Sequence, residues 1–306
     1  MKQLSAAILL SSVLLTTAFA QKGKSPFAGR WDLTVTPQTG VPYPGWMELV
    51  DHAGGFDVRV QPRTGSVHPI ADVRMDGGKL TLVVSPAATW ELEVKSNKLT
   101  GVQKQGDKVT AQLAGVRAPE LKRKMPSAWT TPEPLLNGKD LTGWEPIPVT
   151  AANHWVMQDG VLVNLEHGAN LKTVRKFEDF KLHIEFNCPE DGNSGIYLRG
   201  RDEVQVANEK PGVNDKFHDM GAIYGYLAPS VDMPHKPGQW ETFDITLVGR
   251  MLTVVRDGVK TIDNQEIPGI SGGALDSHEA EPGPFYLQGD HTGGMKYRNI
   301  TVSVPK

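Results

Sequence analysis

"NSGIYLRGRDEVQVAN", residues 193 to 208, carries the alternation that decides the fold. Ile196 and Leu198 alternate with Tyr197 and Arg199. Val204 and Val206 alternate with Glu203 and Gln205. Successive side chains of a strand point to opposite faces, so each run is a strand with one apolar and one polar face, and Gly200 marks the turn between them. The same period recurs elsewhere. In "KLHIEFNC", Leu182, Ile184 and Phe186 oppose Lys181, His183 and Glu185. In "WETFDITLV", Phe243, Ile245 and Leu247 oppose Thr242, Asp244 and Thr246. In "PFYLQG", Phe285 and Leu287 oppose Tyr286 and Gln288. No long stretch repeats apolar residues at helical spacing. Short alternating runs bounded by Gly, Pro, Asn and Asp, with 32 Gly and 22 Pro in the chain, predict an all-β protein.

Two blocks follow from the turn signals. Residues 27 to 121 place strands and turns such as "DGG", "SNK" and "QGD" at short intervals, which predicts a small antiparallel β-barrel or sandwich domain. Its Trp31, Trp46 and Trp90 fit core packing or the wall of a ligand pocket. Residues 122 to 134, rich in Pro, read as a linker. Residues 135 to 306 carry many short strands, enough for two packed antiparallel sheets.

The chain begins with Lys2, an apolar run and Ala18-Phe19-Ala20, the pattern of a secretory signal cleaved after Ala20. Export, in a bacterium to the periplasm, is the expected localisation. No other stretch approaches the length of a membrane span. A formal charge of −3 without basic runs argues against nucleic acid as a partner. The single cysteine, Cys188, excludes an intramolecular disulfide and reads as buried and inert.

Idle sheet surface is usually Lys, Thr, Ser and Glu. Here Tyr197, Arg199, Glu203, Gln205, Tyr286 and Gln288 recur on the polar faces. Planar donors, carboxylates and aromatic rings are what a sugar needs, because its hydroxyls take directional hydrogen bonds and its C–H face packs on a ring. Two readings stay open at this point: the floor of a sugar site, or a solvated sheet with a few ion pairs.

Several motifs extend the first reading. "LLNGKDLTGW" (135–144), Trp155 with "DGVL" (159–162), "FEDFKLHIEF" (177–186), "NSGIYLR", "EVQV", "GAIY" (221–224), "PGQWETFDIT", "FYLQGDH" (285–291) and "YRNI" (297–300) follow in order. In this order residues 133 to 305 resemble the 3-keto-disaccharide hydrolase family. The sequence departs from the family's usual residues at Leu136, Asp202 and Glu241, and Gly289 stands between Gln288 and Asp290. The resemblance implies a concanavalin A-like jelly roll acting on a glycoside already oxidised at sugar C3. A C3 ketone acidifies the C2 proton, and the enolate expels the C1 substituent. Hydration completes a net hydrolysis. Such a site needs a base, an electrophile for the enolate oxygen and an acid for the leaving oxygen.

The resemblance assigns the roles as follows. Glu203 or His291 is the base, Arg199 stabilises the enolate, and Glu185 binds hydroxyls or assists proton transfer. Gln205, Tyr224, Gln288 and Tyr197 hold the sugar. A divalent metal is an alternative electrophile, with no ligand set assigned, since the loop residues His218, Asp219, His235, His278 and Glu279 show no recognised metal spacing. Glu185, Arg199, Glu203 and Gln205 are expected to converge in one hollow. Two other functions fit the residues: a conventional glycoside hydrolase with Glu185 and Glu203 as its carboxylate pair, and a non-catalytic carbohydrate-binding protein.

Overall fold

The alternating runs form strands throughout, and the computed structural model, which describes residues 25–208 and 215–306, contains no helix among them. The expected signal segment, residues 1–20, lies outside the described residues.

The first body is one nine-stranded antiparallel sheet. Its first strand, Gly29–Pro37, pairs with the second, Tyr43–His52, and with the last, Lys108–Arg117. The sheet's two edges, His68–Pro69 and Val73–Asp76, are neighbours in sequence. Between them Ile70 N–H donates to Val58 O, and Asp72 O accepts from Val83 N–H. The bent segment 68–76 therefore changes partners midway and curls the sheet into a barrel. Leu33, Met47, Val58, Leu80, Leu92 and Leu113 point inward with Trp31 and Trp90. Those two tryptophans pack the core. Trp46, one residue before Met47, points out of the barrel into the core of the second body, edge-on to Tyr226 at 5.8 Å. That buried aromatic contact joins the two bodies.

The stretch read as a linker is docked on the second body. Arg123 pairs with Asp179 at 3.0 Å, Trp129 bridges to Pro305, and Glu133–Pro134 adds a short strand beside Lys296–Ser303. Two sheets follow, as expected for a jelly-roll sandwich. The larger runs, in spatial order, through Trp155–Gln158, Val161–Asn164, Lys296–Ser303, Phe180–Asn187, Trp240–Val248, Met251–Arg256 and Val259–Glu266. The smaller runs through Trp144–Ile147, Asn170–Thr173, Tyr286–Leu287, Asn193–Leu198 and Asp202–Ala207. Leu182, Ile184, Phe186, Phe243, Ile245 and Leu247 of the larger sheet pack against Ile196, Leu198, Val204, Val206 and Leu287 of the smaller one. Cys188 is buried in this core, and burial pushes its thiol up to about 12.

Every residue of Asp202–Ala207 is buried. One face of the smaller sheet packs on the sandwich core. The other lies under a loop of the first barrel, where Gly273 N–H donates to Arg63 O. The polar faces seen in the sequence thus have two fates. Those of the larger sheet look outward to solvent, and those of the smaller sheet line the junction between the bodies.

Candidate functional site

The ladder of the smaller sheet sets side chains in rows. Tyr197 lies directly opposite Glu203 on one side and opposite Tyr286 on the other. The next row holds Gly195, opposite Gln205, with Gln288 N–H donating to Gly195 O. Tyr197 and Tyr286 stack with ring centroids 3.9 Å apart. The Tyr197 hydroxyl lies 2.9 Å from Glu203 Oε2 and 2.7 Å from Gly272 O, so one proton serves either acceptor. With the Gln205 amide oriented as its acceptor neighbours require, its nitrogen donates to Glu203 Oε1 and to Ser194 O, both at 3.3 Å. A Cβ at Gly195 would sit 2.2 Å from Glu203 Oε1. Gly195 is therefore the gap in the row across which the glutamate lies.

These residues floor a cavity of about 250 Å³, walled by Asn170, Asn193, Tyr224, Gln288, Asp290 and His291, and by Thr64 and Gly65 of the first barrel. Burial pushes the Glu203 carboxyl up to about 8. The hydrogen bond from Tyr197 and the charge of His291 oppose that rise, and Asp290 adds to it. The Tyr197 and Tyr286 phenols are raised well above their usual range, again by burial first and then by Glu203. At neutral pH the floor is thus a set of protonated donors with no formal charge.

The rim is polar in another way. His291 Nδ1 lies 2.9 Å from Asp290 Oδ1. Burial pushes the Asp290 carboxyl up, but the hydrogen bond and charge of His291, with Asn170, outweigh it and hold it below the ordinary value. Asn170 Oδ1 also accepts from the backbone N–H of Gly289 and Asp290, at 2.7 and 3.2 Å. An ionised Asp290 makes Nδ1 the donor, which leaves Nε2 as the basic nitrogen. Gly289 is required by packing: a Cβ there would lie 2.4 Å from Ala169 O and 2.8 Å from Trp155 Nε1.

Six of the eight expected residues, Tyr197, Glu203, Gln205, Tyr224, Gln288 and His291, line this cavity. Two do not. Arg199 begins the turn, with φ of +52° followed by +70° at Gly200 and closed by Arg201 N–H to Leu198 O. That left-handed step ends the alternation, so Arg199 leaves the face of Tyr197. It is buried instead, donating to Gly249 O at 2.9 Å, with Asp202 at 3.5 Å. Glu185 belongs to the larger sheet and pairs with Arg298 Nε and Asn299 Nδ2, both at 2.6 Å. The expected convergence of Glu185 and Arg199 with Glu203 and Gln205 is therefore corrected. So is a Glu185/Glu203 carboxylate pair, since the two lie on different sheets. A partly exposed ion pair contributes little, so Glu185→Ala should cost about 1 kcal/mol or less in urea melts.

Sequence reasoning missed Asn170, Asp290, Thr64 and Gly65. Asn170 sits in a short strand with no distinctive motif, and Thr64 and Gly65 reach the site only through the packing of one body on the other. Among the described residues no group of three or more His, Cys, Asp and Glu side chains is placed to hold a metal ion. His218 contacts Ser66 and Asp215, and His235 pairs with Asp219. Among the described residues the donor set does not fit a metal.

Residues 131–303 match the family model of the 3-keto-alpha-glucoside-1,2-lyase-like domain. Among solved structures, a candidate glycosyl hydrolase from Parabacteroides distasonis is 28% identical, with a TM-score of 0.49, covering 59% of this chain and 92% of its own. Another from the same organism is 26% identical, with a TM-score of 0.40, covering 52% of this chain and 98% of its own. A carbohydrate-binding module, CBM66 from Bacillus subtilis, is 14% identical, with a TM-score of 0.32, covering 54% and 98%. No curated protein matches.

Proposed function

The chain belongs to the 3-keto-alpha-glucoside-1,2-lyase-like family, and on that premise we propose that the cavity cleaves 3-keto-glycosides by elimination across C1 and C2. The observation that carries this reading is a buried, uncharged acid facing a carboxylate-oriented imidazole across one small polar cavity. His291 takes the C2 proton on Nε2, with Asp290 stabilising the imidazolium that forms. The C2–H electron pair moves into the C2–C3 bond as the C3 carbonyl becomes an enolate. Neutral Glu203, supported by Tyr197, donates a hydrogen bond to that oxygen, the role first given to Arg199. A buried carboxylic acid that stays protonated serves such an anion without bringing a charge of its own. The enolate then re-forms the ketone, the C1–O bond breaks, and the leaving oxygen takes the proton carried by His291. Water adds to C1 and a proton to C2 to complete net hydrolysis. Tyr197 and Tyr286 form the floor, and Gln205, Gln288 and Tyr224 offer polar groups to the hydroxyls.

Incubation with a disaccharide and with its 3-keto form tests the reading. Release of sugar from the keto form alone, with a transient enone absorbance, is the expected result. Cleavage of the unoxidised disaccharide without an enone would refute it. Gly195→Ala should lower kcat/KM for the keto substrate by about 10²-fold, since a displacement near 1 Å of a catalytic group costs that much. Steady-state kinetics beside a thermal melt separates this effect from loss of fold.

A further inference from the structure

The family match begins at residue 131, yet the cavity is not built from that part of the chain alone. Thr64 and Gly65 line it from the first barrel, opposite the floor of the smaller sheet. The loop that carries them is fixed from both sides. Gln61 Nε2 donates to Pro62 O and Gly65 O at 2.9 and 2.8 Å. Gly273 N–H donates to Arg63 O at 3.0 Å, and Ser66 Oγ bonds His218 Nε2. His218 in turn lies edge-on to the ring of Tyr224, which lines the same cavity. The approach is close enough to demand glycine: a Cβ at Gly272 would sit 2.2 Å from Gly65 O, and one at Gly225 would sit 3.1 Å from Ser66 Cβ. A loop whose carbonyls accept hydrogen bonds from both bodies is a rigid wall rather than a passing contact.

We infer that this loop, through Thr64, is the specificity wall of the site, confining the cavity to one keto-sugar ring and selecting against glycosides with a bulky group on that side. The inference rests on the proposed keto-glycoside reading and adds the first barrel to the binding site. About 250 Å³ lies below the usual range for drug-sized ligands, and Thr64 and Gly65 form part of its boundary. Thr64 is the side chain the first barrel contributes, and its hydroxyl both donates and accepts, as a sugar hydroxyl requires.

Two variants test this: Thr64→Trp, which fills the space, and Thr64→Ala, which opens it. Circular dichroism and thermal melts verify the fold of each. With methyl 3-keto-glucoside as probe, Thr64→Trp should lose at least about 100-fold in kcat/KM. Thr64→Ala should raise KM several-fold with kcat near wild type and shift preference toward a 3-keto-disaccharide. Thr64→Trp with turnover within threefold of wild type, or an unchanged preference in Thr64→Ala, overturns the wall. If wild type turns over neither keto substrate, the keto-glycoside reading fails by itself. The wall is then judged by calorimetric titration with methyl glucoside. Binding lost in Thr64→Trp supports it, and binding retained, or absent already in wild type, overturns it.

Discussion

Glu203→Ala is expected to lower kcat/KM for a 3-keto-glycoside by about 10²–10³-fold, the usual cost of removing one donor to a developing oxyanion. Glu203→Gln should instead retain turnover to within about tenfold, because an amide N–H also donates. The contrast separates the two roles open to this residue, since a general base would be lost equally in both variants. The pH profiles separate them again. Wild-type activity should fall as pH rises through about 8, when the acid ionises, and the Gln variant should not show that fall. Stability also falls with rising pH, over a lower range. Burial raises this carboxyl above its ordinary value of 4.5. Its contribution to folding is complete below 4.5 and drains away as pH climbs toward 8. At pH 7 Glu203→Gln should therefore be more stable than wild type by about 1–3 kcal/mol. Thermal melts at pH 5 and pH 7 verify the sign, with the gap opening at the higher pH.

His291→Ala is the second large effect. Loss of a general base typically costs about 10²–10⁴-fold, here in turnover of the keto substrate. The side chain is 44% exposed, so the fold should be preserved to within about 0.5 kcal/mol in the same melts. Added imidazole should restore part of the rate by entering the vacated space. A variant as active as wild type would remove His291 from the mechanism and return the base to Glu203.

The fold was legible because alternation is local. Ile196, Leu198, Val204 and Val206 announce their burial from spacing alone, and so do Leu182, Ile184 and Phe186. The site was legible in part. Tyr197, Glu203, Gln205 and Gln288 could be grouped because they share strands with a firm apolar face. Alternation gives a face but not a sheet, which is why Glu185 looked like a partner of Glu203 and instead pairs with Arg298 and Asn299 on the outer side. It also fails where the backbone leaves the extended region. Arg199 is in phase with Tyr197 by count, but its positive φ turns it away. Thr64 and Gly65 were beyond reach for a third reason: their approach to Gly272 belongs to the packing between bodies, which no local pattern encodes.

The central claim is that the C2–H bond breaks during cleavage, and solvent exchange reads that directly. A 3-keto-disaccharide turned over in D₂O should release a keto sugar carrying one deuterium at C2, beyond an enzyme-free blank, and Glu203→Ala should slow label and cleavage together. Cleavage that leaves C2 fully protiated would contradict the account.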